Sequence, residues 1–272
     1  MRSLEGQVAI VTGAGRGIGR AVAEKLAASG AAVGLIARSG AELDDARSAC
    51  ESFGAKAAAA VADVADRAAL GRALETLENE LGAPPDLLVS NAGMEGPEAA
   101  LWESGFDAWW RTIEVNLGGA LAAAAIVLPG MVARGRGRLV HLNSLQAARD
   151  VAPYGAYAVS KAALLRLGGV LAASLAGTGV MVFDVSPGLV RTSMTDAMGY
   201  WADVPDEDWT PVDRVASFMT EIARGRFDAM TGRFLHALDD WDDLERRAGE
   251  IAAGGGRALR LTPGWPGDPI LE

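Results

Sequence analysis

The chain has 272 residues, half of them apolar, and its 25 lysines and arginines against 35 aspartates and glutamates give a formal net charge of −10. This balance excludes a disordered chain, which has few apolar residues, and argues against a nucleic-acid partner, which would select a basic surface. Cys50 is the only cysteine, which excludes an intrachain disulfide and a cysteine-based zinc site and favours a reducing compartment.

Short apolar runs alternate with longer amphipathic ones along the first 240 residues. The apolar runs predict strands at Gln7–Thr12, Ala32–Ala37, Lys56–Val61, Asp86–Ser90, Arg138–Asn143, Val180–Val185 and Arg233–Ala237. The amphipathic runs predict helices at Gly17–Ser29, Ala41–Phe53, Arg67–Leu81, Phe106–Ala133, Pro153–Ala176 and Val212–Arg224. Because continuous apolar strands separated by helices are typical of a parallel sheet covered on both faces, the sequence predicts an α/β fold. We expect a Rossmann-type doubly wound parallel sheet of about seven strands with helices on both faces.

No linker or repeat divides this alternation, so we expect a single domain over residues 1–240. Within it, segment 189–210 is long for a connection between a strand and a helix. Residues 241–272 are predicted to be a C-terminal extension, with an acidic helix, a glycine break and a coil containing proline and tryptophan.

The beginning of the chain lacks the basic and apolar stretches of an export signal. The longest uncharged run, about Val115 to Ala133, contains three glycines and Pro129 and is only marginally long enough to span a bilayer. We therefore expect a cytoplasmic protein with no membrane partner.

A glycine-rich turn, TGAGRGIG at Thr12–Gly19, joins the first predicted strand to the first helix. Glycines let the backbone approach a pyrophosphate closely, and the N-terminus of the helix offers free N–H groups to it. The alternative is a merely flexible turn, but the position between a strand and a helix favours dinucleotide binding. The predicted cofactor-binding residues in this turn are Gly13, Gly15, Arg16, Gly17, Ile18 and Gly19.

Arg38 lies at the end of the second strand, where a site for NAD usually carries an acid for the ribose hydroxyl. No acid occurs between Ala31 and Ala41. A guanidinium can bind a 2′-phosphate through paired hydrogen bonds, and Arg16 could add a second charge. The sequence therefore predicts a preference for NADP (NADPH), with NAD possible; the alternative is that both arginines are simply solvated.

Tyr157 and Lys161 are four residues apart in a predicted helix, which places them on one face. An ammonium held beside a phenol favours the phenolate and should lower its pKa, so the pair could exchange a proton with an alcohol or a ketone. The spacing alone fits an ordinary pair on a helix surface equally well.

Several motifs, taken together in their order and spacing, make the chain resemble the short-chain dehydrogenase/reductase family over about residues 5–237. They are Thr12–Gly19, Asp63-Val64, Ser90–Gly93, Asn116, Ser144, Tyr157 with Lys161, and Pro187-Gly188 followed by Thr192. The resemblance implies a Rossmann-type enzyme that transfers a hydride between a nicotinamide cofactor and a carbonyl or alcohol. The last strand lacks the family's Asp-Gly-Gly, Ser90 replaces a frequent Asn, and the C-terminal extension is long, which leaves the quaternary arrangement open.

The resemblance also implies a role for each matching residue. Tyr157 would be the general acid in reduction and the general base in oxidation. Lys161 would hold the nicotinamide ribose and depress the pKa of Tyr157. Ser144 would bind the substrate oxygen, and Asn116 would hold a water that links Lys161 to solvent. The further cofactor-binding residues implied are Asp63, Val64, Asn91, Ala92, Gly93, Pro187, Gly188, Val190 and Thr192.

By the same resemblance, segment 189–210 would form a lid over the substrate. Methionine, aromatic and amide side chains occupy this predicted lid and follow the predicted strand ends. We predict substrate contacts from Met94, Gln146, Tyr154, Met194 and Trp201. Such side chains suit an apolar pocket with a few polar anchors, so we expect hydrophobic or aryl ketones to be preferred over sugars. Each of these side chains could equally belong to the core.

We therefore predict an oxidoreductase that transfers a hydride between NADPH and a small-molecule carbonyl or alcohol, with ketone reduction as its direction. The alternatives are a non-catalytic NAD(P)-binding sensor or scaffold on the same fold, and an NAD-dependent alcohol dehydrogenase working oxidatively. By the same resemblance we expect a homo-oligomer, a dimer or a tetramer, packed through the helices Phe106–Ala133 and Pro153–Ala176. No metal site is predicted, because the aspartates at positions 239–243 lack the spacing of a calcium loop.

Overall fold

The structure is a computed structural model that describes residues 3–150, 154–198, 201 and 203–260. The strands are β1 (Val8–Thr12), β2 (Ala32–Ala37), β3 (Ala57–Val61), β4 (Leu87–Ser90), β5 (Gly137–Leu142), β6 (Val180–Ser186) and β7 (Arg233–His236). The helices before β5 are α1 (Gly17–Ala28), α2 (Gly40–Glu51), α3 (Arg67–Leu81), α4 (Leu101–Ser104), α5 (Phe106–Ile113) and α6 (Gly119–Arg134). Those after β5 are α7 (Gly155–Ser174), α8 (Ser193–Ala197), α9 (Val212–Ala223), α10 (Trp241–Arg246) and α11 (Ala248–Ala253).

The seven strands form one parallel sheet in the order β3-β2-β1-β4-β5-β6-β7. β1 pairs with both β2 and β4, so that Ala9 lies opposite Val33 on one side and Leu87 on the other. The chain therefore builds the sheet outward in two directions, and a crevice opens at the carboxyl ends of β1 and β4. The predicted fold class is confirmed.

Helices cover both faces of the sheet. On one face, α1, α2 and α9 bury apolar side chains such as Leu26, Leu43 and Phe218 against the strands. On the other face, α3 and α6 bury residues such as Leu77 and Val127, and α7 packs against β6. Burial of each large apolar side chain stabilises the fold by about 2 kcal/mol. Burial on both faces also explains why the strands are continuous apolar runs.

The predicted helix Phe106–Ala133 is one helical stretch, but it contains a turn of π-helix at Glu114–Gly118 between α5 and α6. Such turns are rare and often occur at functional sites. The last strand ends at His236 rather than at the predicted Ala237. The reason is a turn in which the His236 N–H donates to Asp239 Oδ2 at 2.9 Å. The predicted start of α7, Pro153, lies outside the described residues.

The predicted lid, residues 189–210, contains α8 and is tied together by Arg191. Its guanidinium pairs with Asp206 and lies 4.9 Å above the ring centroid of Trp209. The Thr210 N–H donates to the Leu189 carbonyl at 2.7 Å and closes the base of the segment. Residues 199, 200 and 202 of the lid lie outside the described part of the chain.

The described part of the C-terminal extension runs along β7. The backbone N–H of Phe234 donates to the Arg257 carbonyl at 2.7 Å, and the Arg257 guanidinium pairs with Asp239 at 2.6 Å. Arg233 also donates to the Ala252 carbonyl at 2.8 Å. The edge strand of the sheet is therefore held by the extension; residues 261–272 lie outside the described residues.

Two helical stretches, Phe106–Arg134 and Gly155–Ser174, are long and apolar enough to cross a bilayer by length and composition alone. Both pack against the sheet, α6 on β4 and β5 and α7 on β6, as core helices do. Their outer faces carry exposed apolar side chains: Leu121, Ile126, Val132, Val159 and Val170.

Candidate active site

A cleft of about 450 Å³ opens at the carboxyl ends of the strands, beside the junction of β1 and β4. The structure brings most of the predicted cofactor-binding residues to its wall. Those that line it are Gly13, Gly15, Arg16, Gly17, Ile18, Arg38, Asp63, Val64, Asn91, Ala92, Gly93, Tyr157, Lys161, Pro187, Gly188, Val190 and Thr192. Gly19 does not line the cleft and instead packs behind the glycine turn.

The glycine turn is held against β4 by Asn91. Its side-chain amide donates to the carbonyls of Thr12 at 2.9 Å and of Gly13 at 3.1 Å. Gly13 has a φ of +66°, and a Cβ there would lie 2.7 Å from the Asn91 amide nitrogen. Gly19 is packed so closely that a Cβ would collide with the Gly13 carbonyl. The first turn of α1 has no side-chain cap, so its N–H groups face the cleft free to bind an anion.

The second strand end presents one uncommitted cation to the cleft. Arg16 is paired with Glu42, Nη1 to Oε1 at 3.4 Å, but within the described residues Arg38 makes no ion pair and is exposed. Glu42 also lines the cleft. An acidic side chain, Glu42, therefore does lie at the end of β2, but it comes from α2 and not from the strand. Arg16 pairs with its charge.

Asp63, one of the predicted cofactor-binding residues, is already bound by protein donors. Its Oδ1 accepts from the Ala65 N–H at 3.0 Å, and its Oδ2 accepts from Arg111 at 2.6 Å. Partial burial alone would raise the pKa of Asp63, but these donors and the charge of Arg38 hold it below its ordinary value. The carboxylate is therefore ionised at neutral pH and retains lone pairs for a further donor.

The predicted catalytic end of the cleft lies where β5 ends and α7 begins. Ser144 follows β5 and makes a hydrogen bond with the phenol of Tyr157, which lies on α7. Lys161 is buried, and its Nζ donates to the Leu142 carbonyl at 2.7 Å and lies 5.4 Å from the centroid of the Tyr157 ring. The structure therefore brings three of the four predicted catalytic residues together.

The pKa of Tyr157 differs from the sequence expectation. Burial raises it to about 12, the hydrogen bond with Ser144 lowers it in part, and the charge of Glu95 raises it. Burial also lowers the pKa of Lys161 to about 8, against the opposing charge of Asp184. We expected Lys161 to lower the pKa of Tyr157, but withdrawal of the phenol from water dominates. At neutral pH Tyr157 is a neutral proton donor.

Asn116, the fourth predicted catalytic residue, lies in the π-helical turn and is buried. Its side chain accepts from the Met94 N–H at 2.8 Å and donates to the Met94 carbonyl at 2.9 Å. It also donates to Ser160 Oγ at 2.9 Å, one residue before Lys161. Asn116 therefore fixes the segment after β4 to α7; the predicted water-holding role stays a prediction.

The predicted substrate residues divide into two groups. Met94 and Met194 line the cleft beside Tyr157. Tyr154 is buried outside that lining, with a φ of +62°, and its hydroxyl donates to Glu98 at 2.6 Å. Gln146 lines a separate cavity between α7 and residues 257–260, and Trp201 is not among the lining residues. The roles assigned to these five residues stay predictions.

Sequence reasoning missed several residues of this cleft and its rim, among them Ser39, Glu42, Arg111 and Asn143. Ser39 lines it and caps α2 by accepting from the Glu42 N–H at 3.3 Å; its position after Arg38 was the available signal. Glu42, at the third position of α2, had no signal beyond its charge. Arg111 lies 48 residues from Asp63 in the chain, and only the fold brings the two together.

Other polar groups weighed from the sequence have structural partners. Asp240 caps α10 by accepting from the Asp243 N–H at 2.9 Å, and Asp239 pairs with Arg257. Over the described ranges, 3–150, 154–198, 201 and 203–260, no group of three or more histidine, cysteine, aspartate or glutamate side chains is arranged to hold a metal ion.

Comparison with known proteins identifies the family. The family model described as short chain dehydrogenase matches residues 7–203. The chain belongs to this family. It is 33% identical over 240 residues to the 3-oxoacyl-[acyl-carrier-protein] reductase FabG of Salmonella typhimurium, covering 86% of this chain and 96% of that protein. A short chain dehydrogenase of Pseudocercospora fijiensis is 37% identical over 193 residues, which are 70% of this chain and 62% of that one.

A solved structure agrees with this assignment. The gluconate 5-dehydrogenase of Burkholderia cenocepacia, in complex with NADP and tartrate, superimposes with a TM-score of 0.79 at 29% identity, over 86% of this chain and 94% of that one. This short-chain dehydrogenase is thus an NAD(P)-dependent oxidoreductase that acts on CH–OH and C=O groups of small molecules. The resemblance stated from the sequence is confirmed.

Proposed function

We propose that this short-chain dehydrogenase reduces ketones on hydrophobic or aryl substrates, with NADPH as the preferred cofactor. The observation that carries the proposal is the meeting of Ser144, Tyr157 and Lys161 at the end of β5, beside the cleft formed by the glycine turn. When bound, a nicotinamide dinucleotide supplies the hydride.

The residues of the cleft fit such a dinucleotide. Gly13 and Gly17 adopt positive φ angles and leave the first N–H groups of α1 open toward a pyrophosphate. Thr192 lies against Gly17, where a Cβ would be 3.4 Å from its methyl group, so the lid begins directly beside the glycine turn. Lys161 would hold ribose hydroxyls with its buried ammonium.

Reduction requires a proton for the carbonyl oxygen, and Tyr157 is suited to supply it. The pKa of its phenol is about 12, so the phenol is neutral and keeps its proton at physiological pH. Ser144 shares a hydrogen bond with Tyr157 and would hold the carbonyl oxygen in line with that proton. Oxidation would need the phenolate, which burial disfavours, so this state of the site favours the reductive direction.

NADPH is preferred because Arg38 is the uncommitted cation at the ribose end. Arg16 is engaged by Glu42, whereas Arg38 is exposed and can form charged hydrogen bonds to a 2′-phosphate. The related gluconate 5-dehydrogenase holds NADP, which is consistent with this choice. Glu42 could instead accept from a ribose hydroxyl, and this leaves NAD as the second cofactor to test.

An apolar substrate suits the wall beside Tyr157, which is formed by Met94, Val190 and Met194. Dehydrogenation of a sugar acid, as in the name of the related gluconate 5-dehydrogenase, is the competing substrate class. We further propose a cytoplasmic homo-oligomer, a dimer or a tetramer. The apolar side chains exposed on α6 and on α7 support it, since exposed apolar side chains suit a contact with another copy of the chain.

The test is a panel of aryl ketones, aliphatic ketones and keto-sugars, assayed with NADPH and with NADH. Aryl ketones with NADPH should give the highest kcat/KM. In the variant Tyr157→Phe, kcat should fall at least about 1,000-fold while the Kd of NADPH stays within about twofold, since only the proton donor is lost. Ser174→Ala deletes a hydroxyl on the same helix, bonded only to its own backbone, and should leave both constants unchanged.

Preference for keto-sugars would reverse the substrate assignment. Full turnover by Tyr157→Phe would exclude Tyr157 as the proton donor. Binding of NADPH with no turnover on any carbonyl would return the chain to the alternative of a nucleotide-binding sensor.

A further inference from the structure

Asp184 is a buried carboxylate in a strand whose other residues, apart from Ser186 at its end, are apolar. It lies in β6, is 1% exposed, and stands in register with the equally buried His141 of β5. Removing a carboxylate from water is costly unless hydrogen bonds replace the lost hydration. A charged residue here, within a core sheet, therefore needs a structural or functional reason.

The partner of Asp184 is Asn143, the last residue before Ser144. The Asn143 side-chain amide donates to Asp184 Oδ1 at 2.8 Å, and His141 Nδ1 lies 3.5 Å from the same oxygen. The second carboxylate oxygen lies against α7 at Gly168, where a Cβ would overlap it. The carboxylate is thus packed between the end of β5 and α7, the helix that carries Tyr157 and Lys161.

The side chain of Asn143 connects Asp184 to the backbone of Ser144. Its side-chain oxygen accepts from the Ser144 N–H at 2.8 Å, while its own backbone N–H donates to the Val185 carbonyl at 2.8 Å. Both ends of the amide are used, one on Asp184 and one on the backbone of Ser144. Rotation of the amide would break both bonds, so the pair fixes the backbone where the chain leaves the strand.

The residues on either side of Asn143 hold the reacting groups. The carbonyl of Leu142 accepts from Lys161 Nζ at 2.7 Å, and Ser144 makes its hydrogen bond with Tyr157. The three consecutive residues 142–144 therefore connect Lys161, Asp184 and Tyr157 in turn. A shift of this segment would move the hydroxyl of Ser144 and the support of Lys161 together.

We infer that Asp184 and Asn143 are positioning residues, which set the geometry of Ser144 against Tyr157. Asn143 acts from the wall of the cleft and Asp184 from behind it. The inference rests on the proposed function, since its kinetic consequence needs a carbonyl reductase. It assigns Asp184 a role through Asn143 and no contact with substrate or cofactor.

The test is a double-mutant cycle with Asp184→Ala, Asn143→Ala and the double variant, assayed with the best ketone and NADPH. Each single change should lower kcat about 10- to 100-fold, since a misplacement near 1 Å has that effect. The Kd of NADPH should stay unchanged in Asp184→Ala, because Asp184 does not line the cleft. The double variant should lose no more than either single one, because both act through one path. Asp184→Asn keeps an oxygen acceptor for Asn143 and should restore most of kcat.

The matched control is Thr220→Val, which deletes a buried hydrogen bond to the Ala216 carbonyl on α9, remote from the cleft. It should lower the melting temperature without changing kcat. Additive losses in the double variant, or a kcat of Asp184→Ala close to that of the wild type, would overturn the inference. If Asp184→Ala does not fold, Asn143→Ala alone decides, since an unchanged kcat there would have the same consequence.

Crystal structures of Asn143→Ala and Asp184→Asn separate this inference from the proposed function. Loss of the hydrogen bond between Ser144 and Tyr157 in Asn143→Ala, and its retention in Asp184→Asn, would support positioning even if the wild type reduced no ketone. Retention of that bond in both variants would overturn it, whatever the enzyme's substrate is.

Discussion

The two ends of the cleft are built in different ways. The phosphate end comes mainly from one continuous segment, Thr12–Gly19, which offers backbone N–H groups to a ligand, and Arg38 adds an exposed guanidinium from the end of β2. The catalytic end collects Asn116, Ser144 and Lys161 from separate elements, and its side chains are mostly bonded to the protein's own carbonyls and hydroxyls. Cofactor binding therefore depends on local backbone shape, whereas the chemistry depends on the packing of distant segments. We expect changes at the first end to alter affinity, and changes at the second to alter turnover or stability.

Among changes at the phosphate end, Gly19→Ala is expected to have the largest effect on affinity for the cofactor. The added methyl group would collide with the Gly13 carbonyl and the Asn91 amide, so the turn must open. The Kd of NADPH should rise by about 100-fold, the equivalent of an overpacking cost near 3 kcal/mol, as measured by titration calorimetry.

Gly169→Ala is the matched control, because a Cβ there meets no atom within 4 Å and the residue lies within α7. It should leave the Kd unchanged and raise the stability slightly, since alanine favours a helix. If Gly19→Ala bound NADPH as the wild type does, the phosphate end would not depend on this close packing.

A smaller change of affinity is expected from Arg38→Ala. Loss of a charged hydrogen-bond donor should raise the KM of NADPH by about tenfold, while the KM of NADH stays within about twofold. Arg16→Ala, whose guanidinium is already engaged by Glu42, should have the weaker effect of the two. Steady-state kinetics with both cofactors measures this, and equal losses for NADPH and NADH would remove Arg38 from the 2′-phosphate.

The smallest effect concerns stability at the catalytic end, and it depends on pH. Because the pKa of Lys161 falls from 10.5 to about 8 on folding, the unfolded chain binds more protons between these values. The stability contribution of Lys161 should therefore rise as the pH increases from about 8 toward 10, by about 1–2 kcal/mol. Above pH 10 the raised pKa of Tyr157 acts in the opposite direction, since the folded chain then holds the extra proton.

Comparison with Lys161→Met isolates this contribution, because methionine has no charge to bury. Denaturant unfolding of both proteins at several pH values should give a difference that favours the wild type increasingly from pH 8 to 10. A difference that does not vary with pH would mean that the buried ammonium keeps its ordinary pKa.

The same contrast explains how much could be predicted from the sequence. The glycine turn, Arg38 and the order of strands and helices follow from local patterns, and the structure agrees with them. The π-helical turn at Glu114–Gly118 could not be predicted, because its composition is that of the helix around it. The prediction that the pKa of Tyr157 is lowered was wrong, because the spacing predicts a neighbouring lysine but not how deeply the phenol is buried.

Partners that are distant in the chain were also missed. Tyr154 lies close to Ser144 in sequence, which suggested a substrate contact, yet its left-handed backbone turns the hydroxyl to Glu98, 56 residues away. Asp184 and Asn143 are 41 residues apart and meet only because β5 and β6 are neighbours in register. Such contacts are set by the topology of the sheet, which local patterns constrain only loosely.

The C-terminal extension has a consequence for how the molecule avoids unwanted contacts. An edge strand normally exposes N–H and C=O groups that can recruit a strand from another chain. At β7 the outward N–H of Phe234 is already taken by the Arg257 carbonyl, and the Arg257–Asp239 ion pair fastens that coverage. The extension therefore hinders aggregation by strand addition at β7. A strand from a neighbouring molecule could pair with β7 only after the extension had dissociated from it.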